Sequence, residues 1–331
     1  MAPMKTDPIT DLDATALSAA IHSRSVSCRE AMQAYLARIA RLNPASNAIV
    51  SRVPDEVLLR QADERDADLA RDGSRGWLHG VPQAIKDTGH ALGLPTSWGS
   101  PLLALAVAQQ DSIYVARMKA AGCIVIGKTN VPEFAMGSHT YNPVFGTTPN
   151  AWDRRVVAGG SSGGACVALA QRLLPLADGS DFMGSLRNPA AWNHVFGLRP
   201  SAGRVPGWPK GDVWVTQLST DGPLGRSVRD VAGLLNVQAG FDARALLGRS
   251  ARRPRLVRSV RGATPARRPT VRALKNPGPS ARPAHPRRPC AARRFRRRPG
   301  CRLPLPDGRP GRPANRCASP SRRCRPRRGR G

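Results

Sequence analysis

The sequence lacks the features that mark secreted, membrane-spanning and metal-binding proteins. Only three of its seven cysteines precede residue 246, and Cys28, Cys123 and Cys166 form no Cys-x-x-Cys pair, which argues against a zinc site. The N-terminus has no apolar stretch typical of a signal peptide. The longest apolar run, residues 101–108, is far too short to span a bilayer. We therefore expect a cytoplasmic protein with no membrane partner, no metal and no cofactor.

Acidic residues are nearly missing from the last quarter of the chain, and this explains the net charge of +30. Residues 246–331 hold 28 Lys and Arg against one acidic residue, Asp307, whereas the preceding residues are nearly neutral. The same segment lacks Glu, Ile, Met, Trp and Tyr. It cannot bury enough apolar surface to offset the entropy of ordering it. The composition predicts a folded domain over residues 1–245 and a disordered Arg/Pro-rich tail over residues 246–331.

The tail has two interpretations. An Arg-rich segment can bind nucleic acid without sequence preference, through the phosphate backbone. Alternatively, an abrupt change to Arg, Pro, Ala, Gly and Cys is what a shifted reading frame in GC-rich DNA produces. We favour the non-native reading frame, and we expect nucleic acid to bind only non-specifically, if at all.

The first 245 residues carry an alternation of helix and strand patterns. Apolar spacing predicts two helices within residues 12–43, with a capping box formed by Ser27 and Glu30 and an end at Asn43-Pro44. A short strand leads to Lys86, a helix covers residues 112–121 and a buried strand follows at residues 123–126. Strand, helix and strand in this order predict an α/β fold with a largely parallel or mixed sheet.

Two Gly/Ser turns flank an apolar, helix-length run at residues 165–177. Each turn presents a serine where the backbone is small, which suits a nucleophile and an anion-binding site at a helix N-terminus. A phosphate loop does not fit, because no GxxxxGK[ST] pattern is present. Residues 159–163 match the G-x-S-x-G nucleophile elbow, but that motif needs a later Asp and then a His. The only histidine between the motif and the tail is His194, and no Asp lies between Ser185 and it.

Lysine is scarce enough to narrow the search for a base. Residues 1–245 contain five lysines, and only Lys86 and Lys128 directly follow an apolar strand-like run. A lysine at the end of a strand is often solvated and inert. Where it is desolvated, however, its pKa falls and it can act as a neutral base near pH 7. The pattern alone leaves both lysines open.

Together these motifs resemble the amidase signature family of serine hydrolases. The resemblance rests on Gly-Gly-Ser-Ser-Gly-Gly at residues 159–164, on residues 179–190, and on the 24 positions that separate Ser161 from Ser185. Upstream, residues 80–87 are similar to the family element that supplies its lysine. The similarity extends through residues 127–130 and 203–206 to about residue 245.

The resemblance implies a mixed β-sheet covered by helices on both faces, with the C-terminal part of the fold missing. It also implies hydrolysis of a small carboxylic amide to an acid and ammonia or an amine. Ser185 would be the nucleophile, Ser161 in a cis peptide linkage the proton relay, and Lys86 the neutral base. The oxyanion would lie against three backbone N–H groups, those of Phe182, Met183 and Gly184.

The remaining residues of the motif are expected to support this site. Ser162 would orient the network by hydrogen bonding, and Asp181 and Arg187 are spaced to form a pair that braces the loop. The sequence around Ser185 is more similar to general amidases than to the A subunit of tRNA-dependent amidotransferases. A homodimer is possible in such a protein. Family members continue well beyond residue 245, so an inactive amidase remnant is a further alternative.

Overall fold

The computed structural model describes residues 7–209 and 218–245. The predictions for the tail, its disorder and its nucleic-acid binding, lie outside these residues. Within them the α-helices are α1 Pro8–Asp11, α2 Ala14–His22, α3 Cys28–Ser46, α4 Asp55–Arg71, α5 Ile113–Ala120, α6 Gly163–Ala170, α7 Arg187–Trp192 and α8 Val228–Gln238. The strands are β1 Ile49–Val50, β2 Pro82–Lys86, β3 Ile124–Thr129, β4 Tyr141–Asn142, β5 Gly146–Thr147, β6 Leu176–Asp181, β7 Phe196–Gly197 and β8 Thr220–Gly225. Short 3₁₀ helices lie at Pro101–Leu103 and Glu133–Ala135.

The N-terminal helices follow from local sequence, with one correction. The Ser27–Glu30 capping box predicted for α3 is present. The predicted end at Asn43-Pro44 is wrong, because α3 continues to Ser46. Proline removes a single backbone donor, which the helix tolerates here. The Asn43 side chain also stabilises this helix end, because its Oδ1 accepts hydrogen bonds from the N–H groups of Ala48 and Ile49 at 3.0 and 2.8 Å.

Two three-stranded sheets carry the residues of interest. In the first, the strand order is β1-β3-β2, with β3 antiparallel to β1 and parallel to β2. In the second, the order is β6-β8-β7, with both pairings antiparallel. The end of β2 lies against β6, because the backbone N–H of Lys86 donates to the Asp178 carboxylate at 3.2 and 3.3 Å. Strands β4 and β5 form a separate small hairpin.

The apolar run at residues 165–177 is not one helix. It contains most of α6, a turn with Arg172 at φ +58°, and the start of β6. Both elements are almost entirely buried. The run is apolar at nearly every position, so hydrophobic periodicity cannot show where the helix ends and the strand begins.

The mixed α/β architecture predicted from the sequence is confirmed. Helix α4 packs against β3, α6 against β6, and α8 against β8 and α5. One continuous apolar core joins the N-terminal helices to both sheets; Leu17, Tyr35, Ile85 and Leu224 are among its buried members. No helix in the described part of the chain is sufficiently long and apolar to cross a membrane.

Candidate active site

Lys86 is the centre of a buried cluster of hydroxyl groups. It is the last residue of β2 and is 0 % exposed. Its Nζ lies 2.8 Å from Ser161 Oγ, 3.0 Å from Ser162 Oγ and 2.8 Å from Ser180 Oγ. The amine therefore has three hydroxyl partners and no surface exposed to bulk solvent.

This environment favours the neutral amine. Burial lowers the pKa of Lys86 from 10.5 to about 8, and the negative charge of nearby Asp221 opposes this shift most strongly. Desolvation disfavours the ammonium ion because no water remains to solvate it. With a pKa of about 8, about half of Lys86 is neutral at pH 8 and can accept a proton.

Ser161 and Ser162 are placed by the glycine-rich turn that precedes α6. The Gly160–Ser161 peptide bond is cis, as the resemblance implied. Gly160 packs so closely on His139 that an added Cβ would lie 2.0 Å from the His139 carbonyl oxygen. Ser162 is completely buried and also donates to the Ser180 carbonyl oxygen at 3.3 Å. Small residues in this turn are thus required for the serines to reach Lys86.

Ser185 lies in the loop between β6 and α7, and a carboxylate fixes the backbone on both sides of it. Asp181 accepts the N–H of Gly184 at 2.8 Å and the N–H of Leu186 at 3.1 Å. The same carboxylate, 0 % exposed, pairs with Arg187 at 3.0 Å and with Arg199 at 3.2 Å. Ser185 itself is half-buried. Within the described residues no hydrogen bond joins it to Ser161, so the hydrogen-bonded network ends at Ser161.

The three predicted oxyanion donors lie in the loop that carries Ser185, and one of them already has a partner. Gly184 has φ +128°, a conformation that favours glycine, and its N–H already donates to Asp181. In this structure an oxyanion would compete with Asp181 for the N–H of Gly184. The backbone N–H groups of Phe182, Met183 and Gly184 stay the predicted donors.

Two residues of β6 that no sequence motif indicated also contact Lys86. Ser180 contributes a hydroxyl to the amine, and Asp178 accepts the Lys86 backbone N–H. Both lie on one face of the strand because side chains alternate along it. The interpretation of the residues after 177 as a Gly/Ser turn concealed this alternation. Recognising the strand would have placed both residues on one face.

A cavity of about 680 Å³ opens beside the cluster. Ser161, Ser180 and Phe182 line it on the side of the cluster. Aromatic and apolar side chains make up much of the remaining wall, including Trp98, Tyr114, Phe134, Met136 and Trp208. Ligand sites commonly combine such walls with a few polar groups.

The described residues offer no evident metal site. They contain no group of three or more His, Cys, Asp and Glu side chains arranged to hold an ion. The polar groups that converge here are an amine and hydroxyls, which suit proton transfer to and from a nucleophile.

Comparison with known proteins gives one family. Residues 30–259 match the sequence model of the Amidase family. Among curated relatives, the A subunit of glutamyl-tRNA(Gln) amidotransferase from Methylococcus capsulatus is 42% identical over 228 residues, which is 69% of this chain and 46% of that protein.

Solved structures agree with the sequence comparison. A bacterial aryl acylamidase of the amidase signature family matches with a TM-score of 0.70 and 31% identity, over 74% of this chain and 51% of that one. Peptide amidase from Stenotrophomonas maltophilia matches with a TM-score of 0.66 and 34% identity, over 72% and 50%. The chain spans about half the length of the curated relatives it matches.

Proposed function

The chain belongs to the amidase signature family, and on that premise we propose that it hydrolyses a carboxylic amide through Ser185, Ser161 and Lys86. The observation that carries the proposal is the contact of 2.8 Å between the buried Lys86 amine and Ser161 Oγ. A serine hydroxyl becomes an effective nucleophile only when a base accepts its proton. In the proposal Lys86 is that base, and Ser161 passes the proton of Ser185 to it.

The reaction follows from this arrangement. Ser185 Oγ attacks the amide carbonyl, and its proton passes through Ser161 to Lys86. The backbone N–H groups of residues 182–184 stabilise the oxyanion. The ammonium of Lys86 then returns the proton to the leaving nitrogen, and water releases the acid from the acyl-serine. The contact between Ser185 and Ser161 forms when substrate binds, since catalytic hydrogen bonds often tighten only in that complex.

The cavity supports an amide with an apolar or aromatic group. Trp98, Phe134 and Trp208 provide flat apolar walls, and aromatic rings in a substrate pack well against such walls. The aryl acylamidase and peptide amidase named above show that relatives of similar fold act on amides of different kinds.

Covalent labelling tests the proposal without knowledge of the substrate. An alkyl fluorophosphonate reacts with an activated serine, forms a P–O bond and releases fluoride. We expect one label per chain on Ser185, its loss in Ser185→Ala, and unchanged labelling in Ser201→Ala, a control at an exposed serine. Equal labelling of Ser185→Ala and the unmodified chain would overturn the assignment of the nucleophile.

A second candidate function is that of an amidotransferase A subunit. The similarity to the Methylococcus capsulatus protein favours it. The sequence Phe182-Met183 before Gly184 favours the first candidate, because such subunits usually carry Gly-Thr-Asp-Thr-Gly-Gly-Ser at this point. Conversion of glutamyl-tRNA(Gln) to an amidated form, followed by mass spectrometry of the released amino acid, would support the second candidate. Hydrolysis of arylamides without such conversion would support the first.

A further inference from the structure

Asp178 is a buried carboxylate that the proposed reaction leaves unused. It lies in β6 and is 0 % exposed. Both of its oxygens accept the backbone N–H of Lys86, at 3.3 and 3.2 Å. Its Oδ2 also accepts the hydroxyl of Tyr114, from α5, at 3.1 Å. One carboxylate of β6 thus connects helix α5 to strand β2, at the residue that carries the amine.

The position of Asp178 on its strand explains why it reaches Lys86. Asp178 and Ser180 are two residues apart, so their side chains lie on the same face of β6. Ser180 contacts the Lys86 amine, and Asp178 contacts the Lys86 backbone. The two residues therefore hold both ends of the lysine from a single strand.

We propose that Asp178 is a positioning residue for Lys86: it anchors the end of β2 through the Lys86 N–H, and Tyr114 fixes its carboxylate in turn. The inference rests on the proposed function, in which Lys86 is the base. Burying a carboxylate costs free energy unless it is hydrogen-bonded. Asp178 accepts hydrogen bonds from the Lys86 backbone and from the Tyr114 hydroxyl, so its burial is compensated at the residue that it positions.

The charge of Asp178 acts on the amine as well. Burial raises the pKa of Asp178 to about 6, so this carboxylate is ionised in the range where Lys86 titrates. An anion nearby favours the ammonium form and raises the pKa of the lysine. Asp221 of β8 and Asp181 of β6 act on Lys86 in the same direction. Burial raises the pKa of the Cys166 thiol in α6, so this neighbour stays neutral where Lys86 titrates.

Titration of Lys86 by NMR tests the proposal on the full chain. The chain has six lysines, so selective isotope labelling gives few signals, and loss of one in Lys86→Met identifies it. We expect a midpoint near 8, lowered by about one pH unit in Asp178→Asn, which removes the charge and keeps an acceptor. Tyr114→Phe keeps the charge and should leave the midpoint in place. An unmoved midpoint in Asp178→Asn would overturn the proposal.

The unmodified chain provides a second test if Asp178→Asn does not fold. The backbone N–H of Lys86 donates to Asp178, so its amide resonance should move with an inflection near pH 6, where Asp178 titrates. An amide resonance with no inflection there would also overturn the proposal. Neither measurement uses activity. If Ser185→Ala kept its label while these titrations came out as expected, the proposed function would fail and the contact between Asp178 and Lys86 would stand.

Discussion

Two lysines end neighbouring strands of one sheet, and both are completely buried. Lys86 closes β2, and Lys128 is the penultimate residue of β3. In the parallel pairing Ile85 lies opposite Lys128, so Lys86 is one position further along. Because side chains alternate along strands, the two amines extend from opposite faces of the sheet. They enter surroundings of different chemistry.

The difference lies in their partners. The Lys128 amine lies 3.8 Å from a carboxylate oxygen of Asp87 and donates to the Gly89 carbonyl oxygen and to Thr96 Oγ1. The Lys86 amine instead contacts three serine hydroxyls. Burial lowers the pKa of each lysine to about 8. A depressed pKa therefore does not distinguish a base from a structural cation; the adjacent groups do.

The largest expected effect is on catalysis at Lys86. Lys86→Met removes the base and should slow fluorophosphonate labelling of Ser185 by about 10²- to 10⁴-fold, the usual contribution of a positioned base. Lys128→Met is the matched control, because it makes the same change in a buried lysine one strand away. We expect it to retain most of the labelling rate at a temperature where it remains folded. Equal losses of labelling rate in the two variants would contradict the assignment of Lys86 alone as the base.

The next effect is on stability, and here Lys128→Met should have a larger effect than Lys86→Met. Lys128→Met leaves the buried Asp87 carboxylate without its cation, and breaking a buried pair in this way typically costs about 3–5 kcal/mol. The free energy of unfolding, measured by chemical denaturation, should fall by that amount. Lys86→Met removes hydrogen bonds to neutral hydroxyls and should change it less. A larger destabilisation by Lys86→Met would contradict the assignment.

The smallest effects concern one hydroxyl at each lysine. Ser162→Ala removes a hydrogen bond to Lys86 worth about 0.5–1.5 kcal/mol, so Ser185 labelling should slow by about two- to twelvefold. Thr96→Val removes the corresponding hydroxyl at Lys128 and should lower stability by a similar free energy without slowing labelling. Rates and unfolding curves of both variants check this. A slower rate in Thr96→Val would show that the loop around Thr96 also governs the site.

Sequence alone predicted the features that depend on local chemistry. The Ser27–Glu30 capping box involves residues three apart, and the motif at residues 159–164 required small residues beside its serines. The same reasoning selected Lys86 and Lys128 from five lysines. It could not choose between them without the family resemblance, because their difference depends on Asp87 and on serines distant in the sequence.

Other features depended on contacts that no local pattern records. Strand β8, Thr-Asp-Gly-Pro-Leu-Gly at Thr220–Gly225, carries two glycines and a proline and has no β-pattern, yet it pairs along the whole of β6. The roles of Asp178 and Ser180 follow from strand β6, whose sequence Leu-Ala-Asp-Gly-Ser-Asp is more typical of a turn.

The pH dependence of Ser185 labelling tests the central claim most directly, since the claim requires a neutral Lys86. A buried lysine gains its lone pair as the pH rises through its pKa, so the labelling rate should increase through a midpoint near 8 and then level off. A rate that stays constant from about pH 6 to about pH 10, across the titration of any such base, would contradict the claim.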